Sequence, residues 1–153
     1  MAQRVLVCIP ARRATPGELW TRAESGPVQA FTANRALYDA LGYSEDMDEE
    51  ADHAALVLAS VWGLTQFGER FVLTAEVGPD QIAPGAEAAN GGVAVTGLRP
   101  GQVVAFFTDP DEDAEAAASA AGGLSIDEAW ELPEIEELLV RDLQWHDIDE
   151  WSR

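Results

Sequence analysis

The segment from Ala54 to Leu64 constrains the fold most, because only Ser60 and Gly63 interrupt its apolar side chains. An acidic run from Ser44 to Asp52 precedes it, and acidic residues favour the positive end of a helix. We therefore predict one long helix over 47–66. One helical face would carry Ala54, Leu58, Val61, Trp62 and Thr65. Other apolar residues extend around the cylinder, so this helix should be the most buried element, or should face a partner as well as the core.

Short β-branched and apolar runs predict the strands of the fold. They cover Arg4–Ile9, Val28–Phe31, Glu69–Val77, Gly92–Leu98 and Gln102–Thr108. The composition of Arg99-Pro100-Gly101 favours a hairpin turn between the last two of these strands, and the apolar run from Val103 to Phe107 favours a central strand. A weak alternation within 142–150 favours a short final strand. The segment 81–92, rich in alanine, glycine and proline, is predicted to be a mobile loop.

Capping residues and stop signals predict several shorter helices. They cover Pro16–Glu24, Ala33–Leu41, Ala114–Ala121 and Glu134–Arg141, and Ser125 with Glu128 has capping-box spacing. Asp109 is expected to cap the helix that leads into Ala114–Ala121, with Pro110 at the first helical position and Glu112 at the third. Strands and helices thus alternate, which predicts an α+β fold of the mixed α/β kind. We expect a single globular domain over 1–153, with a four- to five-stranded mixed sheet and helices mainly on one face.

The charge of the chain excludes several classes of partner. It contains 28 acidic residues and nine basic ones, all of them arginine, for a net charge of −19. Residues 101–153 alone carry −13, so the region from about 109 to 153 is strongly acidic. Phosphate groups repel such a surface, so we expect no direct nucleic acid binding and no membrane binding. The acids could keep the protein soluble, face a basic partner protein, or mimic nucleic acid.

The expected location is the cytoplasm. No apolar run approaches the length of a transmembrane helix, and residues 1–10 lack the long apolar stretch of a signal peptide. The single cysteine, Cys8, excludes an internal disulfide and lies in an apolar strand, where its thiol should be buried and inert.

Motifs for catalysis or cofactor binding are weak. The chain has two histidines, His53 and His146, too few to predict a metal site. No nucleophile elbow or phosphate-binding glycine loop is present. We therefore predict no catalytic residue, metal or cofactor, and an enzyme is the less favoured interpretation.

Two groups of residues remain candidates for binding. Tryptophan is enriched at interaction hot spots, and three tryptophans lie among acids near the C-terminus. The candidate docking residues are Trp130, Trp145, Trp151, Glu136, Glu137 and Asp147, although these tryptophans could instead close the core. Arg12 and Arg13 form the only basic pair, at the end of a strand and before a capped helix, where an anion could be held.

Five short segments resemble a small uncharacterised actinobacterial family that carries a domain-of-unknown-function label. They are Arg-Val-Leu-Val-Cys-Ile-Pro-Ala at 4–11, Ala-Phe-Thr-Ala-Asn-Arg-Ala-Leu at 30–37, Asp-Glu-Glu-Ala-Asp-His-Ala-Ala at 48–55, Arg-Phe-Val-Leu-Thr-Ala-Glu-Val at 70–77 and Asp-Leu-Gln-Trp-His-Asp-Ile-Asp-Glu at 142–150. His146 departs from the family pattern, where an aromatic residue is expected, and the loop at 81–92 is longer. The resemblance implies a cytoplasmic single domain and transfers no catalytic residue.

Three hypotheses about function follow. The first is a non-enzymatic interaction or regulatory domain that docks on a basic protein through its C-terminal third. The second is a small-ligand-binding protein or enzyme with a site near Pro10–Arg13. The third is a nucleic-acid mimic that inhibits a DNA- or RNA-binding protein. Homodimerisation through the main helix or a sheet edge is compatible with all three.

Overall fold

A seven-stranded sheet forms the centre of the molecule in a computed structural model that describes residues 4–13, 16–109, 115–139 and 142–150. The strands are β1 (Val5–Pro10), β2 (Val28–Phe31), β3 (Phe71–Val77), β4 (Ile82–Pro84), β5 (Gly92–Val95), β6 (Val103–Thr108) and β7 (Gln144–Asp147). Their order across the sheet is β4-β5-β2-β1-β3-β6-β7. The α+β class and the final short strand are confirmed.

The prediction of a four- to five-stranded mixed sheet is wrong, because all neighbouring strands pair antiparallel and there are seven of them. β2 and β3 do run in the same direction, but both pair with β1, which lies between them. The helical crossover from β2 to β3 is therefore the kind that joins strands of like direction. The antiparallel strand β1 lies between them. The apolar run that predicts β1 does not indicate which strands will be its neighbours.

The predicted hairpin between β5 and β6 is also wrong. β5 pairs with β2 and β4, whereas β6 pairs with β3 and β7, one strand in from the edge and away from the centre. A 3₁₀ turn at Pro100–Gln102 redirects the chain between them. The Gln102 side chain accepts from the Arg99 backbone N–H at 3.0 Å and donates to Gln81 Oε1 at 2.8 Å. These bonds tie the turn to the 3₁₀ turn at Pro79–Gln81 rather than closing a hairpin.

The segment 81–92 is more structured than predicted. It contains β4 and a 3₁₀ turn at Ala88–Asn90. The Gln29 side chain donates to the Ala86 carbonyl at 2.8 Å and accepts from the Ala86 N–H at 3.0 Å. One side chain thus replaces a pair of ladder hydrogen bonds, a function that composition does not predict.

The helices are α1 (Pro16–Ser25), α2 (Arg35–Leu41), α3 (Asp48–Phe67), α4 (Glu115–Ala121), α5 (Ile126–Trp130) and α6 (Pro133–Leu139). α3 is the predicted long helix. Leu58, Val61 and Thr65 of its predicted face are buried, whereas Ala54 and Trp62 are half-buried. The Asp109 carboxylate pairs with Arg70 at 3.0 Å, and its predicted role as a helix cap stays a prediction. Residues 110–114 lie outside the described residues.

Two apolar cores lie on opposite faces of the sheet. α1 packs on one face through Leu19, against residues such as Val7 and Phe71. α2 to α6 contribute to the other core, which includes Leu37, Leu64 and Ile135. The helices therefore lie mainly on one face, as predicted. Among the described residues, no helix combines the length and the apolar character needed to cross a membrane.

Candidate docking groove

An apolar groove lies between the end of α2, the first half of α3, and α5. It encloses about 380 Å³. Its described lining consists of Ala40, Leu41, Tyr43, His53, Ala54, Val57, Leu58, Asn90, Ile126, Asp127 and Trp130. Leu41 is 42% exposed and Trp130 is 41% exposed, so two of the largest exposed apolar side chains of the described chain border the same groove.

Local capping places these two side chains at the groove. α2 ends at Leu41 because Gly42 follows in the left-handed region, at φ 69°, and donates its N–H to the Tyr38 carbonyl. α5 begins with the predicted capping box, in which Glu128 N–H donates to Ser125 Oγ at 3.2 Å and Ser125 N–H donates to Glu128 Oε1. Leu41 and Trp130 are thus the last residues of two short helices whose ends are fixed.

The loop after β4 forms hydrogen bonds with the start of α5. The Glu87 carboxylate accepts from the Ile126 N–H at 3.0 Å, at the positive end of α5. Asn90 Nδ2 donates to Asp127 Oδ1 at 3.3 Å and to Glu87 Oε1 at 3.3 Å. The loop that the sequence predicts to be mobile therefore positions the helix that carries Trp130.

The groove is lined by one acid, and the helix that supplies one of its walls begins with acids. Asp127 lines the groove, and none of its described lining residues is an arginine. Asp48, Glu49, Glu50 and Asp52 are exposed on the first turns of α3, which also supplies one wall. The Tyr38 hydroxyl donates to Asp48 at 2.6 Å, and this bond raises the pKa of Tyr38 to about 12. Burial, and then the charge of Asp48, raise the pKa of the Asp52 carboxyl. Together these carboxylates would favour a cation over an anion near the groove.

A second, smaller hollow of about 260 Å³ lies on the other side of His53 and Val57. Arg70 lines it, almost fully buried, and its Nη1 donates to Asp109 Oδ2 at 3.0 Å and to the Leu138 carbonyl at 3.2 Å. The ion pair joins the start of β3 to the end of β6 and to α6. We interpret it as structural, because both charges are committed to partners within the chain.

The predicted docking residues do not all meet at the groove. Trp130 lines it, but Trp145 lies on the edge strand β7, 61% exposed, and is not among the lining residues. Glu136 and Glu137 are exposed on α6, and Asp147 is exposed opposite Ala105 at the end of β7. Trp151 lies outside the described residues. Trp130 is the one predicted docking residue among the described lining residues. Sequence reasoning missed Leu41, although the predicted helix stop at Gly42 places this apolar residue at a helix end.

The predicted basic pair follows the end of β1. Arg12 forms an ion pair with Glu18 and lies over the Phe67 ring. Arg13 lies over the Phe106 ring, and its N–H donates to Glu69 at 3.2 Å. Sequence reasoning missed Arg22, which also lies over Phe67. The spacing of Glu18 and Arg22 by four residues is the available signal, because it places both on one face of α1.

The described residues contain no group of three or more histidine, cysteine or acidic side chains placed to hold a metal ion. Cys8 is buried as predicted, and burial, followed by the charge of Asp52, raises the pKa of its thiol to about 12. A protonated, inaccessible thiol is a poor nucleophile.

The fold and the groove together define an acidic α+β domain with one antiparallel sheet, a helical layer and an exposed apolar groove. The chain belongs to DUF6912, a family of unknown function, whose pattern matches residues 5–153. The resemblance to an uncharacterised family is thereby confirmed. Neither a curated protein nor a solved structure matches this chain.

Proposed function

We propose that this protein is a non-enzymatic docking domain that binds a basic partner protein. The observation that carries the proposal is the placement of Leu41 and Trp130 on the walls of one groove that Asp127 also lines. Exposed apolar side chains gathered in this way are typical of interaction sites, whereas singly scattered ones are not. Tryptophan and its apolar neighbours would provide the anchor of the interface.

The partner that fits the groove is an amphipathic segment with apolar residues on one face and lysine or arginine on the other. Its apolar face would pack between α3 and α5, as in helix-in-groove recognition. Its basic residues would lie against Asp127 and the acids that begin α3. The charge of the chain, −19, would attract such a segment from a distance and increase the association rate at low salt.

The acids of the C-terminal third provide the second part of the proposed surface. Glu136 and Glu137 on α6 and Asp147 on β7 extend the negative field beyond the groove. Trp145 and Trp151 remain proposed contacts, and Trp145 is exposed enough to serve as one. Trp145→Ala should weaken binding and leave the unfolding temperature almost unchanged if the docking surface reaches β7.

A defined peptide tests the groove directly. The probe is a fluorescent helical peptide with leucine on one face and arginine on the other, and its shuffled sequence serves as the reference. Leu41→Ser should weaken its binding roughly tenfold, since hot-spot truncations typically cost this much or more. Val104→Ser is the matched control, because Val104 is 44% exposed but lies on β6, outside the described lining of the groove.

Fluorescence anisotropy at low and high salt measures the effect. Binding of the amphipathic peptide that weakens with salt and with Leu41→Ser, but not with Val104→Ser, supports the proposal. Equal binding of the shuffled peptide, or equal loss in the two variants, would show only non-specific attraction and would overturn it.

A further inference from the structure

We propose that the end of β1 carries a second site, separate from the groove, that binds a small molecule bearing a phosphate group. The site consists of Arg12, Arg13 and Arg22 with the rings of Phe67 and Phe106. Arg12 and Arg13 follow β1, and Phe67 is the last residue of α3, whereas the groove is lined by the first half of α3 with parts of α2 and α5. The proposal therefore does not depend on the docking function.

Aromatic rings hold the three guanidinium groups in place. The Cζ atoms of Arg12 and Arg22 lie 5.0 Å and 4.8 Å from the centroid of the Phe67 ring. The Cζ atom of Arg13 lies 5.8 Å from the centroid of Phe106. Arginine stacks on aromatic faces and keeps its planar edge available for bidentate bonds to an anion. Groups held in this way lose less entropy when a ligand binds.

Arginines are concentrated at this place in a strongly acidic chain. Three of the nine arginines gather here, in a chain whose net charge is −19. Among the described residues, Glu18 pairs with Arg12, and the Glu69 carboxylate accepts from the Arg13 backbone N–H. The His146 ring stacks on Phe106 at 4.9 Å and lies beside this cluster, hydrogen-bonded to Thr108. Arginines that served only as counterions for surface acids would not need to cluster.

Arg22 carries a buried hydrogen-bond donor that is left unpaired within the described part of the chain, which is unfavourable for the fold. Its Nε atom is buried and has no hydrogen-bond partner among the described residues. Burial lowers the pKa of Arg22, and the positive charge of Arg12 lowers it further, against the opposing effect of Glu18. Buried donors are normally paired, and the exceptions require an explanation. A bound anion would offset the mutual repulsion of the arginines.

A phosphate group fits this site better than a carboxylate. It carries up to two negative charges and three acceptor oxygens, so that it can bond several guanidinium groups at once. A small molecule fits better than a nucleic acid, because the acidic remainder of the surface repels an extended polyanion.

Thermal unfolding with inorganic phosphate and pyrophosphate tests the site. Sodium acetate at equal ionic strength separates specific binding from screening. Pyrophosphate should raise the unfolding temperature saturably in the native protein. Arg13→Gln and Arg22→Gln should raise the concentration needed for half the effect at least tenfold. Arg35→Gln is the control, because Arg35 pairs with Asp39 on α2, away from the site.

Arg13→Gln keeps the test decisive if Arg22→Gln does not fold, because the Arg13 residue is exposed. An effect of pyrophosphate no larger than that of acetate would overturn the proposal. So would an unchanged response in Arg13→Gln, or an equal loss in Arg35→Gln. Leu41→Ser should leave the response unaltered, which separates this site from the groove.

Discussion

At the scale of single residues, the buried ion pair of Arg70 and Asp109 is the most consequential feature that the sequence hides. Both side chains are almost completely removed from solvent, and Ser60 and the Leu138 carbonyl also face the guanidinium. Removing one partner leaves a buried charge without compensation, which typically costs about 3–5 kcal/mol. Removing both and filling the space with apolar atoms costs much less.

We therefore predict that Arg70→Met lowers the free energy of unfolding by about 3 kcal/mol or more. The double variant Arg70→Met with Asp109→Leu should recover a large part of the loss. Urea denaturation of both variants and of the unaltered protein measures this. An Arg70→Met variant as stable as the native protein would show that the ion pair is solvated and does not stabilise the fold.

At the same scale, the sequence predicts one of the two large exposed residues of the groove and does not predict the other. The sequence indicates that Trp130 could be exposed, because it ends a short capped helix among acids, and the structure places it on the groove. It does not indicate that Leu41 lies across from Trp130, because 89 positions separate them and no local pattern reports a long-range contact. The sequence does not indicate the position of Arg22 for the same reason, because Arg22 and Arg12 contact the same ring, Phe67, only in the folded chain.

At the scale of elements, α3 approaches the start of β3 closely at Gly63. A Cβ atom built on Gly63 would lie 2.7 Å from the Glu69 backbone oxygen, a distance that requires the backbone to move. Gly17 on α1 provides the contrast, because a Cβ there meets no atom within 4 Å. Glycine is therefore needed for packing at the first position and only weakens the helix at the second.

Opposite signs follow for the same substitution at these two glycines. Gly63→Ala should lower the free energy of unfolding by about 1–3 kcal/mol through overpacking. Gly17→Ala should raise it by up to about 1 kcal/mol through helix propensity. Chemical denaturation of the two variants side by side tests this. A Gly63→Ala variant that gains stability would mean that α3 lies farther from β3 than the structure shows.

Elements were predicted better than their pairing. The helices and most strands lie within a few residues of their expected bounds, because capping residues and apolar runs act locally. β4 was missed because Ile82–Pro84 has three residues and ends in proline. The order of the sheet was missed because it depends on side chains such as Gln81 and Gln102, which bond across 21 positions.

At the scale of the whole molecule, the excess of carboxylates should destabilise the fold through repulsion. Burial is the first cause that raises the pKa of both Asp52 and Glu69, so the folded state holds their protons more tightly than the unfolded state. Stability from such groups is present at low pH and is lost as the pH rises through their folded-state pKa. Asp46 acts in the opposite direction, because hydrogen bonds from Ser44 and the backbone lower its pKa.

Asp46 is ionised in both the folded and the unfolded state at pH 5 and above, so it does not change stability between pH 5 and pH 8. Burial of Asp52 and Glu69 and the general repulsion act in the same direction, so the unfolding temperature should be higher near pH 5 than near pH 8. Sodium chloride should reduce the difference by raising the temperature at pH 8, since it screens exposed charges. Calorimetry at both pH values and two salt concentrations tests this. The same salt should weaken docking of a basic peptide while it stabilises the fold. A protein that loses stability and affinity together as salt is added would contradict this account of its charge.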